Sequence, residues 1–167
     1  MDKQANRTLA ICIALLPPIW AVAAPYIGVT TGAVALICAG LCAANGDKRE
    51  NALPISIGFL LGDFWAVLAI LVMDKLQWNP DLELFLTLCV CGGLAVLLSS
   101  VAPKWIFCPA WLCGWAIGLT IMASLGWQGI GTLPFQIGGA MLVGVWYVGV
   151  FLNIVQKKLM KLLFKKS

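Results

Sequence analysis

The strongest constraint on this chain is its succession of apolar runs, at about 8–27, 29–45, 53–73, 83–101, 105–125 and 130–153. Each is as long as a helix must be to cross a hydrocarbon core about 30 Å thick. Lipid offers no partner to an unpaired backbone amide, so runs this apolar are helices rather than barrel strands. The breaks between them carry turn chemistry, as in Asn45-Gly46-Asp47 and Gln77-Trp78-Asn79-Pro80. The expected fold class is therefore all-α: an integral membrane protein of six transmembrane helices in a single membrane domain, residues 1–167. Composition agrees, because 62% of the residues are hydrophobic, 11% are charged and the mean hydropathy is +0.97. Soluble domains are about 45–50% apolar and about 25% charged.

The absence of histidine removes the usual neutral-pH general base and the commonest metal ligand. No nucleophile–base pair or ligand cluster stands out, so no enzyme activity, no metal and no cofactor are expected. The seven cysteines, Cys12, Cys38, Cys42, Cys89, Cys91, Cys108 and Cys113, all fall inside the apolar runs and read as small packing residues. A soft-metal thiolate site at Cys38/Cys42 or Cys89/Cys91 is the alternative, disfavoured because no cation lies nearby to hold a thiolate.

Charge sets the expected sidedness. With the N-terminus in the cytoplasm, Lys3, Arg7, Lys48, Arg49, Lys104, Lys157, Lys158, Lys161, Lys165 and Lys166 all fall inside. Lys75 alone falls outside, beside Asp74, Asp81 and Glu83. This is the asymmetry that the positive-inside rule gives for an even number of spans, with both termini cytoplasmic. Ala21-Val22-Ala23 has the form of a signal-peptidase site, but the run before it is read as the first membrane helix.

Two short segments recur at nearly one offset. Leu53-Pro54-Ile55-Ser56-Ile57-Gly58 opens the third run and Leu133-Pro134-Phe135-Gln136-Ile137-Gly138 the sixth, 80 positions later. Thr8-Leu9 and Thr87-Leu88 are separated by 79. The expectation is a repeat of about 8–73 and about 83–153. Three helices per copy force the second to cross in the opposite sense, an inverted repeat that places a solute path where the halves meet.

Asp63 is the only charged residue well inside a run, near the bilayer midplane, with no lysine or arginine at its depth. An ionised carboxylate there is costly, so Asp63 must be protonated, face water or meet a cation carried by a solute. The structural alternative is a neutral acid hydrogen-bonded to a neighbouring helix. Ser56 and Gln136, matched by the repeat, are expected near opposite mouths of a path past Asp63, and Val143 is the expected counterpart of Asp63 in the second half. Pro17-Pro18 in the first run and Gly92-Gly93 in the fourth are expected to interrupt their helices and free carbonyls for coordination. Of the tryptophans, Trp78, Trp105 and Trp127 read as interfacial, whereas Trp20, Trp65, Trp111, Trp115 and Trp146 lie deeper. Trp65 and Trp115 are candidates to line the path, although Trp65 cannot share a helix face with Asp63. The pairs Gly28/Gly32, Gly58/Gly62 and Gly114/Gly118 have the four-residue spacing that lets helices approach closely.

The tail, 155–167, mixes Leu159, Leu162 and Leu163 with five lysines, the pattern of a basic amphipathic helix on anionic lipid headgroups. Nucleic acid is not an expected partner, because the lysines follow a membrane span directly.

The residues Ile19-Trp20, Gly62-Asp63-Phe64-Trp65-Ala66, Leu82-Glu83 and Leu133-Pro134 resemble those of the bacterial inner-membrane family of unknown function that includes YcdZ. The resemblance implies a compact six-helix protein of the bacterial inner (plasma) membrane, and it supplies no substrate. From the residues themselves, the expected function is a small-solute channel or transporter for a neutral or cationic molecule, in a protein that self-associates as a homo-oligomer. The alternative is a scaffold subunit that binds partner helices through its glycine faces.

Overall fold

The computed structural model describes residues 3–46, 49–76 and 78–164, with side chains from Arg7 to Leu163. Lys48, Lys165, Lys166 and the Lys3 side chain, which entered the charge argument, lie outside the described residues. The described residues form helices and turns and no strand: α1 (Lys3–Ala23), α2 (Val34–Ala44), α3 (Arg49–Leu76), α4 (Pro80–Val101), α5 (Cys108–Met122), the single turn α6 (Gly126–Gly129), α7 (Leu133–Val143) and α8 (Leu152–Phe164). A π-helical segment, Gly144–Phe151, joins α7 to α8 without a break.

Five stretches are long and apolar enough to cross a membrane: Arg7–Ile27, Arg49–Leu76, Pro80–Val101, Cys108–Gly129 and Leu133–Leu163. The expected second span, 29–45, differs. Gly28 takes a left-handed φ of 78° and ends a 3-10 turn, and the chain stays in turns until Val34. Helix α2 therefore has 11 residues and rises about 16 Å, half of a hydrocarbon core.

The expected interruptions at Pro17-Pro18 and Gly92-Gly93 are not found either. Helix α1 continues through both prolines to Ala23, and α4 runs unbroken through both glycines. The irregular backbone lies instead before α2 and in the π segment. Helix α4 starts cleanly because Asn79 Oδ1 accepts from the amides of Asp81 (3.0 Å) and Leu82 (3.4 Å), with Pro80 in the first turn.

The closest packing in the molecule joins α3 to α5. A methyl on Gly62 would overlap the backbone of Trp111, Gly114 and Trp115, one on Gly114 the backbone of Phe59, and one on Gly118 the Ala66 side chain. The expected pairs Gly58/Gly62 and Gly114/Gly118 are thus two sides of one contact. Gly28/Gly32 is not a helix-packing pair: both residues lie in the turn before α2, where the Gly32 carbonyl accepts from Trp20 Nε1 at 3.0 Å. Helix α2 packs instead against glycines five apart, with Ala35 and Cys38 on Gly144 and Cys42 on Gly149. A π segment, hydrogen-bonded from i to i+5, brings residues at that spacing to one face.

These contacts fix relative directions. Helices α3 and α5 run the same way, since Gly58 meets Ala110 and Gly118 meets Ala66. So do α2 and the last helix, with Thr30 at Gln136, Ala35 at Gly144 and Cys42 at Gly149. Helix α3 runs against the last helix, with Leu60 at Gly138 and Ser56 at Trp146, and so does α1, whose Trp20 bonds Gly32 beside the start of that helix while its Leu16 meets Tyr147 further along. Two packed units result. One holds α3, α4 and α5, the other α1, α2 and the stretch from α7 to α8, and α3 lies on α7 along the seam between them. The tail helix α8 continues directly from the π segment and lays Val155 and Leu159 against α1, leaving Leu162 and Leu163 exposed.

Substituting Gly62→Ala should force α3 from α5 and lower stability by about 3 kcal/mol, the upper end for overpacking. Gly93→Ala, with nothing within 4 Å, should be neutral or stabilising by about 0.5 kcal/mol. Unfolding of both variants in one detergent checks the pair; equal losses would refute the glycine contact.

Candidate functional site

Asp63 sits halfway along α3, where the glycines of two neighbouring helices leave room for a carboxyl. A methyl on Gly118 of α5 would stand 3.4 Å from Oδ1, and one on Gly138 of α7 would stand 3.6 Å from Oδ2. The residue is 6% exposed, and Oδ1 is buried with no hydrogen-bond partner among the described residues. Along α3 the nearest cations are Lys75, 12 residues on, and Arg49, 14 residues back, about 18 and 21 Å of helix rise away.

The carboxyl borders an open groove of about 630 Å³ on the flank of the seam. Leu60, Phe64 and Val67 of α3 form one wall, and Pro134, Phe135 and Gly139 of α7 the other, with Trp127 and Ile130 of the connecting segment also in the lining. The wall opposite Asp63 is apolar, and it is Leu142 rather than Val143 that lines it. Sequence reasoning missed Gly138 and Gly139, because a glycine supplies space and no chemistry; their adjacency early in the last helix was the available signal.

The other candidate residues do not gather at this groove. Ser56 is 4% exposed and its Oγ accepts from Trp146 Nε1 at 3.0 Å, tying α3 to the π segment two helical turns below Asp63. Gln136 Oε1 accepts from the amide (3.1 Å) and hydroxyl (3.0 Å) of Thr30, and its Nε2 donates to Thr132 Oγ1 at 3.2 Å. Those bonds occupy the amide in holding the turn before α2 to the start of α7. Trp65 faces away from Asp63, donating to the Cys91 carbonyl at 3.0 Å and meeting Trp111 edge to face at 5.4 Å. Trp115 is buried against Gly92, and its Nε1, like that of Trp111, has no hydrogen-bond partner among the described residues. Pro17 lines an apolar groove with Leu36, Ala39 and Val148, Pro18 is exposed, and Gly93 has open space beside it. Among the described residues, no three histidine, cysteine or acidic side chains are grouped to hold a metal.

A lone acid between two glycines, facing a groove with apolar walls, can hold a small cation or donate to and accept from a neutral polar solute. Among the described residues lining the groove, Asp63 alone carries an ionisable side chain. Directly below, the Trp146–Ser56 hydrogen bond closes the seam. A double-mutant cycle on Ser56→Ala and Trp146→Phe should give a coupling of about 0.6 kcal/mol, as for other hydrogen bonds between membrane helices. Zero coupling would show that the bond does not hold the seam.

No curated protein and no solved structure matches the chain. A family model does, over residues 10–156, and its description is that of a protein of unknown function. The chain belongs to that family, DUF1097.

Proposed function

We propose that this protein binds and transports a small neutral or cationic solute at Asp63, on the seam between its two packed units. The observation that carries the reading is the buried Asp63 Oδ1 without a partner, beside a groove whose other side is apolar. A charged or hydrogen-bonding group left unpaired at this depth is costly unless a ligand completes it. The solute is recognised and moved without covalent chemistry.

The chain crosses the membrane six times in this reading, with both termini cytoplasmic. Support comes from direction: α1 and α3 run against the last helix, so the chain between them must return across the bundle. The turn at 28–33 followed by α2 makes that return alongside the last helix, from Thr30 at Gln136 to Cys42 at Gly149. The inverted repeat has support of the same kind. Exchanging halves maps α3 on α5 to the last helix on α2, and both are same-direction contacts made through glycine. The mapping also relates Trp65 donating to Cys91 of α4 to Tyr147 donating to Leu16 of α1. The protein lies in a bacterial inner membrane in this reading, supported by the resemblance of the motifs around Asp63 and Leu133-Pro134 to the family that includes YcdZ and by the exposed Lys157, Lys158 and Lys161 of α8, which suit anionic headgroups.

A second reading, a scaffold subunit that binds a second copy or partner helices, is favoured by Gly40, Gly93 and Gly139, which lie on helices with open space beside them where another helix could approach closely. Phe135 and Phe64 stand exposed on the rim beside Gly139.

Flux of methylammonium and of small amides into proteoliposomes tests the leading reading. Wild type should exceed protein-free vesicles, and Asp63→Asn should lose at least tenfold of that excess. Equal flux in both would remove Asp63 from the mechanism, and no flux in either, with loss of self-association in Phe135→Ser, would favour the scaffold. For sidedness, single cysteines replacing Arg49 and Lys161 in a cysteine-free background should be labelled from one face by an impermeant thiol reagent, and one replacing Asp74 from the other.

A further inference from the structure

The groove at Asp63 is larger and less polar than a bare ammonium ion or an amide needs. Its volume of about 630 Å³ falls among pockets that enclose a drug-sized molecule, about 300–1,000 Å³. Its lining holds one carboxyl and the indole N–H of Trp127, and every other residue in it has an apolar side chain or none. Of the two carboxyl oxygens, Oδ1 is fully buried. Oδ2 is the one turned to the groove, 3.6 Å from where a methyl on the lining residue Gly138 would stand. Helices α5 and α7, which flank the acid, carry no basic residue to balance it.

These properties select among solutes. A neutral amide would exchange several hydrogen bonds with water for one or two in the groove, and each group left unpaired is costly. An ammonium has three donors and one accessible oxygen to meet, so it gives up hydration that apolar walls do not replace. An anion is repelled. A monocation whose charge is wrapped in alkyl or aryl groups has little hydration to lose. It brings the single positive charge that Asp63 lacks, its apolar bulk suits Leu60, Val67 and Leu142, and the rings of Phe64, Phe135 and Trp127 attract it through their faces. Access agrees, because Phe64 and Phe135 stand exposed on the rim. The groove thus opens along the flank of the helices, the side from which a lipophilic cation dissolved in a bilayer arrives.

We propose that the groove at Asp63 takes a bulky organic monocation, with its charged centre at Oδ2 and its alkyl or aryl groups against Leu60, Phe64 and Phe135. This rests on the solute reading at Asp63 and narrows the solute to one class.

The test is equilibrium binding of radiolabelled tetraphenylphosphonium to the full-length protein in phosphatidylcholine nanodiscs, with protein-free discs as the baseline. Wild type should bind saturably, and Asp63→Asn at least tenfold more weakly. Benzyltriethylammonium should displace the probe; neutral triphenylphosphine oxide and methylammonium at the same concentration should not. Gly139→Phe guards against an Asp63→Asn that fails to fold, as does a melting curve for each variant. Nothing lies within 4 Å of a methyl at Gly139, so the ring enters the groove while the acid stays in place, and binding should again fall at least tenfold. Unchanged binding by either folded variant, or equal displacement by the phosphine oxide, would overturn the proposal. Discs holding two copies should bind as much probe per chain as discs holding one; a loss would give the groove to the second copy and overturn the assignment. The two readings at Asp63 fail separately. Asp63-dependent methylammonium flux without saturable tetraphenylphosphonium binding would sink the organic-cation class alone, whereas binding without flux of any solute would sink transport and leave the binding site standing.

Discussion

Backbone contact between α3 and α5 underlies everything else in this molecule. Apolar side chains gain little by leaving lipid for protein, so a membrane bundle is held by close packing and by hydrogen bonds between helices. Gly58, Gly62, Gly114 and Gly118 let two helices meet main chain to main chain, which maximises the number of dispersion contacts. The same approach sets the space for the Asp63 carboxyl, because Gly118 both receives Ala66 and stands beside Oδ1. Packing and site are thus made by one row of missing side chains.

The buried acids follow from this arrangement. Asp63 and Glu83 lie on opposite sides of the α3 environment, one at the seam with α7 and the other between α3 and α4. Each has an oxygen that no described group completes. Other buried polar groups divide: Trp146 and Ser56, Trp65 and Cys91, and Trp20 and Gly32 pair across helices, whereas Thr31 Oγ1 and the Nε1 atoms of Trp111 and Trp115 have no hydrogen-bond partner among the described residues. What sets Asp63 apart is that it is a carboxyl bordering an open groove.

Much of this was legible in the sequence, and the failures have physical causes. Apolar length located the five long spans, and a spacing of four located both sides of the α3–α5 contact. The second span was overestimated because hydropathy does not register that Gly28 adopts a left-handed turn, which delays α2 until Val34. Gly144 and Gly149 escaped notice because a spacing of five stacks on one face only where the helix widens, and nothing local announces a π segment. The repeat alone puts Gln136 at a path mouth, yet a polar side chain in a first turn satisfies nearby hydroxyls and amides, here Thr30 and Thr132. Pro17 and Pro18 were expected to break α1; loss of two amide donors proved compatible with a continuous helix.

The assignment of helices to the two units has a consequence for motion. Each unit draws on both halves of the sequence, so pulling the halves apart would strip Gly62 from the backbone of Gly114 and break the tightest joint in the protein. Rocking one unit over the other leaves that joint intact. The polypeptide passes between the units at only two places, from α2 to α3 and from α5 to α7, and each passage carries left-handed glycine: Gly46 in the first, Gly126 and Gly131 in the second. Among the described residues, backbone that other residues adopt only with strain is thus confined to these two crossings and to the Gly28 turn that sets the start of α2.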